Sequence, residues 1–544
     1  MLPQALPVCP LNKLEALLSD LAGVAANPDS RSEFNDRPAL VEEIIEKLLD
    51  EPENIKFQCM RILANICADN DANRSFLLND TFLISIKAII ASSLQKTGLI
   101  VLFNLCNDYE PAQKFLIKHR FFDILLDTLN TSTDGTTHEY TARVLELLIT
   151  NDTLTEDLIP EDTIHILLKS FSFAQLASFA APISVLMAYS GVQENLLEEQ
   201  SDLFALCQNF EKITKVDLED KEEAVKAFMI VFANVSNLEE FPQKVTFDNI
   251  LFSLWQSWIK VPGSGDNECS LRAAGFIFIG NLGVDGPSCE KLVEQFYIHK
   301  DVIAAIEVSN SSQELYTAGG LLKNLAIGAK NKSTLYECGA FEAALKLVKR
   351  HFSSPVMFTG LGVVRLLITG SYSNATKFMQ CENELQLVSA CLNAQSKSDE
   401  KTIKIETARL FCAMIRSLHL ESTTKTAIQD SLGMENYTIM VKLLLSLLLE
   451  KENKNILSGE AILALALLFQ SSDSKSVLLA LVISNQEAVN SFLELLDDDT
   501  IDGNVRENAA NLGAGFAQYA NTQGKQGEGL EMIYEKVLGK RSVS

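Results

Sequence analysis

The stretch SLRAAGFIFIGNLGVDGPSC, Ser270–Cys289, decides the fold. Ala273, Ala274, Phe276, Ile277, Phe278, Ile279 and Leu282 are apolar enough for a buried helix. Asn281 stands among them near the helix end, Asp285 follows four residues later, and the turn DGPS closes the phrase. The same succession recurs in CMRILANICADNDANRSFLLND, GLIVLFNLCNDYEPAQKFLIKH, AFMIVFANVSNLEEFPQKV and GGLLKNLAIGAKNKSTLYECG. An apolar helix ends in an Asn-containing phrase, a polar turn follows, and a short helix completes the unit.

The marker residues are Asn65, Asn104, Asn234, Asn281 and Asn324. Neighbouring markers lie 39 (65 to 104), 47 (234 to 281) and 43 (281 to 324) residues apart. The interval from Asn104 to Asn234 holds two further units of about 43 residues, the period of armadillo and HEAT arrays. In those units LELLITNDTLTEDLI and VLMAYSGVQENLLEE supply the phrase without its Asn. Beyond Asn324 the frame continues as VRLLITGSYSNATKFM, CAMIRSLHLESTTKTAI, LALALLFQSSDSKSVLL and LGAGFAQYANTQGKQG. No strand-like alternation of any length interrupts it. The expectation is an all-α, armadillo/HEAT-type α-solenoid of about eleven repeats in a right-handed superhelix, occupying 39–544 behind a helical cap at 1–38. Such repeats stack on their neighbours and present a groove.

Composition narrows the function. A chain of 544 residues exceeds a single compact core, and 47% hydrophobic with 22% charged residues describes a folded protein. Lys and Arg total 46 against 71 Asp and Glu, a net charge of -25 that repels nucleic acid and anionic membranes and favours basic partners. Eleven cysteines without a CxxC pair, mostly in apolar runs, fit reduced thiols. The N-terminal MLPQALPVCPLNKLEALL lacks a secretory pattern, and no greasy run is long enough to span a bilayer. These features lead us to expect a monomer of the cytoplasm or nucleus without stable membrane insertion.

Covalent chemistry finds no foothold. His119, His138, His165, His299, His351 and His419 are isolated, without zinc spacing, so no metal site is expected. Phosphate loops and nucleophile elbows are missing, so neither an enzyme nor a cofactor is expected. The phrase GLGVVR at Gly360 lacks a third Gly and a preceding strand, and reads as helix packing. One charge cluster stands out: Asp217, Glu219, Asp220, Glu222 and Glu223 fall within seven residues, opposed only by Lys221, and Glu239 and Glu240 follow the next helix. Acids at a helix start favour the macrodipole; the other reading is a docking patch for a basic segment. Each marker Asn likewise has two readings. It either offers its donor and acceptor to a partner from the groove, or caps its own helix and ties adjacent repeats together. Asn281 and Asp285 share a helix face if the helix runs that far.

The phrases VDLEDKEEAVKAF, IGNLGVDGPSCEKLVE, GGLLKNLAIGAKNKSTLYECGAFEAALKLVK, FTGLGVVRLLI and SGEAILALALL occur in an order that resembles Smg GDS-type proteins. These are armadillo-repeat GDP-dissociation stimulators and chaperones of small GTPases, and the resemblance is best over 215–469. It implies a guanine-nucleotide exchange factor for Rho- or Ras-type GTPases with a polybasic, often prenylated, C-terminus. An electronegative patch receives that tail, matching Asp217, Glu219, Asp220, Glu222 and Glu223. Asn residues contact the GTPase body, matching Asn281 and Asn324, with Asn234 at the same position one repeat earlier. Asp285 stands where the family pattern has a second Asn; ionised, it accepts a hydrogen bond but cannot donate one. Non-GTPase alternatives are a co-chaperone scaffold and a nuclear-transport adaptor. The latter needs groove tryptophans paired with Asn, whereas Trp255 and Trp258 lie outside the Asn helices.

Overall fold

The computed structural model describes residues 2–350, 353–380, 385–397, 400–421, 428–470, 475–523, 531–533 and 535–536, and contains no strand among them. They fold as two compact units, Met1–Lys244 and Val245–Ser544.

In the first unit the helices Glu53–Cys67, Gln95–Cys106, Gly135–Ile149, Ala180–Leu186 and Lys221–Ser236 pack each on the next, forming a spine. Leu11–Ala26 covers the start of this row. In the second unit the spine runs through Asp266–Leu282, Ser312–Leu325, Ser354–Ile368, Lys401–Leu418, Lys454–Gln470 and Gly503–Thr522. Two further helices typically precede each spine helix, giving the three-helix armadillo repeat that the 43-residue spacing predicts.

One repeat shows how the sequence sets these elements. Asp285 caps Gly286–Glu294 through its carboxylate, which accepts from Ser288 N at 2.7 Å, and Pro287 fits the first turn. Tyr297 then takes φ 56°, a left-handed break, before Ile298–Val308 begins. Arg120 (φ 56°) and Gly339 (φ 91°) mark the same junction in other repeats; glycine alone occupies that region without a Cβ penalty. Ser311 Oγ caps the spine helix by accepting from Glu314 N at 3.4 Å. Leu292, Val302, Ile306, Leu315 and Leu322 close the core between the three helices. Each such side chain contributes about 1.5–3 kcal/mol by leaving water.

Glycines govern how closely the spine approaches the helix before it. A Cβ on Gly360 would stand 2.8 Å from Leu347 Cβ and 2.9 Å from Val348 N; on Gly275 it would stand 2.7 Å from Ile259 Cγ2. GLGVVR is therefore a packing seam. Trp255 and Trp258 are buried, the former stacked on Phe278 with ring centres 4.1 Å apart.

One expectation needs correcting. The Asp266–Leu282 helix stops at Leu282, and Gly283 leaves the helical region with ψ 64°. Asp285 begins the next helix, so Asn281 and Asp285 do not share a helix face. The Gly-Val-Asp-Gly-Pro sequence after Leu282 ends one helix and caps another within five residues.

Candidate functional site

The acidic cluster occupies the loop before Lys221–Ser236 and the first turn of that helix. Asp217, Glu219, Asp220, Glu222 and Glu223 are all exposed. Glu222 pairs with Lys226 one turn on, at 2.8 Å, and that hydrogen bond holds its carboxyl below the usual range. Ser178 Oγ donates to Asp220 Oδ2 at 3.5 Å. Asp217, Glu219 and Glu223 make no ion pair or side-chain hydrogen bond with a described residue. Asp220 occupies the cap position without accepting from the helix start. The loop and first turn thus carry three carboxylates without an ion pair, of which Glu223 still acts through its charge on Lys226, beside the half-buried Leu218 and the exposed Val216.

The marker asparagines show a shared geometry. Asn65 Nδ2 donates to Ala22 O at 3.3 Å, Asn104 Nδ2 to Ala64 O at 2.8 Å, Asn234 Nδ2 to Met187 O at 3.2 Å, and Asn324 Nδ2 to Gly280 O at 3.0 Å. In the second and fourth the acceptor directly precedes the previous marker, Asn65 or Asn281. Each amide ties its repeat to the one before and retains a second N–H and a carbonyl oxygen that this bond does not use. Asn281 is not a free amide either. Asp285 is exposed, and the bonds from Ser288 hold its carboxyl below the usual range. The acidic loop and Asn234 belong to the first unit; Asn281, Asp285 and Asn324 belong to the second.

Sequence reasoning passed over a second asparagine set. Asn73 Nδ2 donates to Ile66 O (3.1 Å) and Arg31 O (2.9 Å), Asn331 Nδ2 to Leu325 O (2.9 Å) and Cys289 O (2.9 Å), and Asn374 Nδ2 to Leu367 O (3.1 Å) and Lys332 O (3.0 Å). Each is buried and joins the end of its own spine helix to the previous repeat's first helix. Cys289 fills the same position with a thiol, donating to Gly283 O at 3.5 Å. A signal existed: each Asn stands in an Asn-x-Ser/Thr triplet just after a spine helix, and Asn331 and Asn374 are 43 residues apart. Arginines also cross between repeats. Arg272 pairs with the buried Glu314 while its Nη1 donates to Val261 O (2.7 Å) and Gly263 O (2.8 Å). Arg365 meets Glu406 at 2.6 Å, and Arg409 meets Glu460 through two bonds of 2.9 and 3.0 Å. Among the described residues no His, Cys, Asp and Glu group could hold a metal; His351 lies outside them.

Residues 10–240 match the family described as the BEM4 N-terminal domain. The Rap1 GTPase-GDP dissociation stimulator 1-A of Xenopus laevis is 23% identical over 455 residues, covering 79% of this chain and 70% of that protein. The 1-B form of the same organism is 22% identical over the same shares. Among solved structures, a chain of the SYS-1/POP-1 complex superposes with a TM-score of 0.58 at 11% identity, covering 92% of this chain and 98% of that one. A chain solved for the interaction between cadherin and beta-catenin gives 0.52 at 14% identity, covering 91% and 100%. With its armadillo fold and this long, ordered sequence match, the chain is similar along most of its length to the Rap1 GTPase-GDP dissociation stimulators.

Proposed function

We propose that the chain binds small GTPases in the cytoplasm, stimulates release of their GDP and chaperones the nucleotide-free form. The observation that carries this is the match, along 79% of the chain, to two Rap1 GTPase-GDP dissociation stimulators. The GTPases we favour are of Rho or Ras type, with a polybasic C-terminus that can be prenylated. Such a protein needs no reacting side chain. Binding the nucleotide-free GTPase more tightly than the GDP form weakens GDP by the same factor, because the coupling is reciprocal.

In this reading Asp217, Glu219 and Glu223 receive the tail, since none of them forms an ion pair with a described residue, and Asp220 and Glu222 reinforce the field. Opposite charge at this range chiefly accelerates encounter and is screened over about 8 Å at physiological salt. Asn324 and Asn234 would offer the amide groups that their repeat bonds leave over to the GTPase body, Asn281 would contact it from the same row, and Asp285 would accept a donor from it. A nuclear-transport role is disfavoured because both tryptophans are buried.

The test is release of a fluorescent GDP analogue from Rho- and Ras-type GTPases, with native tails and with the tail lysines replaced by Gln. Acceleration for at least one tailed GTPase is expected. Failure to accelerate any of them, together with no binding to their nucleotide-free forms, would overturn the reading. Replacing Asp217, Glu219 and Glu223 by Lys should slow association more than it speeds dissociation. An unchanged association rate would remove the loop from the mechanism while leaving exchange intact.

A further inference from the structure

In a chain of net charge -25 the second unit holds a pocket lined by three arginines. Three successive spine helices, Ser354–Ile368, Lys401–Leu418 and Lys454–Gln470, enclose a cavity of about 350 Å³. Arg365, Arg409, Arg416 and His419 line it against one carboxylate, Glu460. Arg409 and Arg416 are seven residues apart on one helix and so lie on one face, two turns apart.

The guanidinium groups are not saturated. Arg365 spends Nε on Glu406, and Arg409 spends Nε and Nη2 on Glu460. These bonds orient both planes and leave further N–H donors on each. Arg416 is exposed and pairs with no described residue. Leu420, Leu463 and Leu467 supply apolar wall beside these cations. An inorganic anion would gain nothing from those leucines, and a purely apolar ligand would leave the guanidinium donors unused.

We propose that this pocket docks an acidic peptide segment of a partner protein, one in which a carboxylate side chain is flanked by an aliphatic one. Arg416 takes the carboxylate, with the spare donors of Arg365 and Arg409 behind it, and the leucines take the aliphatic neighbour. Charge complementarity is the argument for this occupant. The rest of the chain's field repels acidic segments, so a local cation cluster is where one can be held. A cavity of this size accepts a few side chains. This inference does not depend on the GTPase reading.

The experiment uses the full chain and a labelled synthetic peptide alternating Asp or Glu with Leu, followed by fluorescence anisotropy. Its controls are the same peptide with Asn and Gln in place of the acids, and inorganic phosphate as competitor. The acidic peptide should bind, the neutral one roughly tenfold or more weaker, and Arg416→Glu should weaken the acidic peptide by a similar factor. Arg416→Gln, which removes the charge but keeps a shorter polar side chain, should fall between, and matched thermal unfolding of both variants confirms the fold. Absence of binding, equal binding of the neutral peptide, native affinity in Arg416→Glu, or phosphate binding as tightly as the peptide would each overturn the proposal.

Discussion

Asn331 was not singled out from sequence, yet its replacement should cost more than that of the nominated Asn324. Its Nδ2 donates to Cys289 O and Leu325 O, both at 2.9 Å, in a site where it is 1% exposed. Cys289 O lies inside the Gly286–Glu294 helix and keeps a backbone partner, so its loss is that of an ordinary hydrogen bond. Leu325 O closes the Ser312–Leu325 helix, where carbonyls have no partner within the helix. Asn331→Ala leaves it orphaned. The two effects together come to about 2–4 kcal/mol. Asn324→Ala removes one bond to Gly280 O, which still accepts from Gly283 N at 3.2 Å, so about 1 kcal/mol is expected. Asn331→Asp should be worse than Ala, because it turns a carboxylate towards two carbonyl oxygens. Urea unfolding followed by far-UV circular dichroism measures all three, with hydrogen exchange of the neighbouring amides to localise the loss. If Asn331→Ala cost no more than Asn324→Ala, or Asp were tolerated as well as Ala, the ladder would have no energetic role.

Gly360→Ala should destabilise by about 1–3 kcal/mol, since the new methyl meets Val348 N and Leu347 Cβ under 3 Å away; an unchanged melting temperature would refute the close approach. Arg272→Met and Glu314→Leu should each cost about 3–5 kcal/mol, while the double variant should lie near the native stability. Equilibrium unfolding of the cycle tests this, and strictly additive losses would mean the two side chains do not act as a pair. Burial pushes the thiols of Cys59, Cys67 and Cys289 up to about 12. At about pH 8 they should resist alkylation while the half-exposed Cys338 is modified, as peptide mapping of the labelled native protein would show. Early labelling of Cys67 would contradict its placement.

The helices and their period were legible because burial writes itself into side-chain identity. Phe276, Phe278, Ile279 and Leu282 had to be apolar, and Gly360 had to be small. The end of the helix at Leu282 was less legible, because Gly283 reads equally as a terminator or as a tolerated helical residue. The partner of each asparagine was not legible at all. Its acceptor is a backbone carbonyl some forty residues earlier, as Gly280 O is for Asn324, and a carbonyl leaves no mark on the sequence. The acidic loop was visible as charge, but that Asp217, Glu219 and Glu223 lack partners while Glu222 has Lys226 depended on local geometry.

The inter-repeat bonds of the two asparagine sets run one way, whereas Asn455 Nδ2 reaches forward to Thr500 O. Asn65, Asn73, Asn104, Asn234, Asn324, Asn331 and Asn374 reach towards the N-terminus, each to a carbonyl of the repeat already passed. During synthesis the N-terminal part emerges first, so every new repeat meets a finished row of acceptors. Until that repeat arrives, water can occupy those acceptors at the growing end. A cut made from the C-terminal side leaves carbonyls that solvent can satisfy. One made from the N-terminal side takes from amides such as those of Asn73 and Asn331 one of their two acceptors, leaving only the carbonyl of their own spine helix. Where these two sets dominate the junction, shortened chains should therefore tolerate loss of late repeats better than loss of early ones.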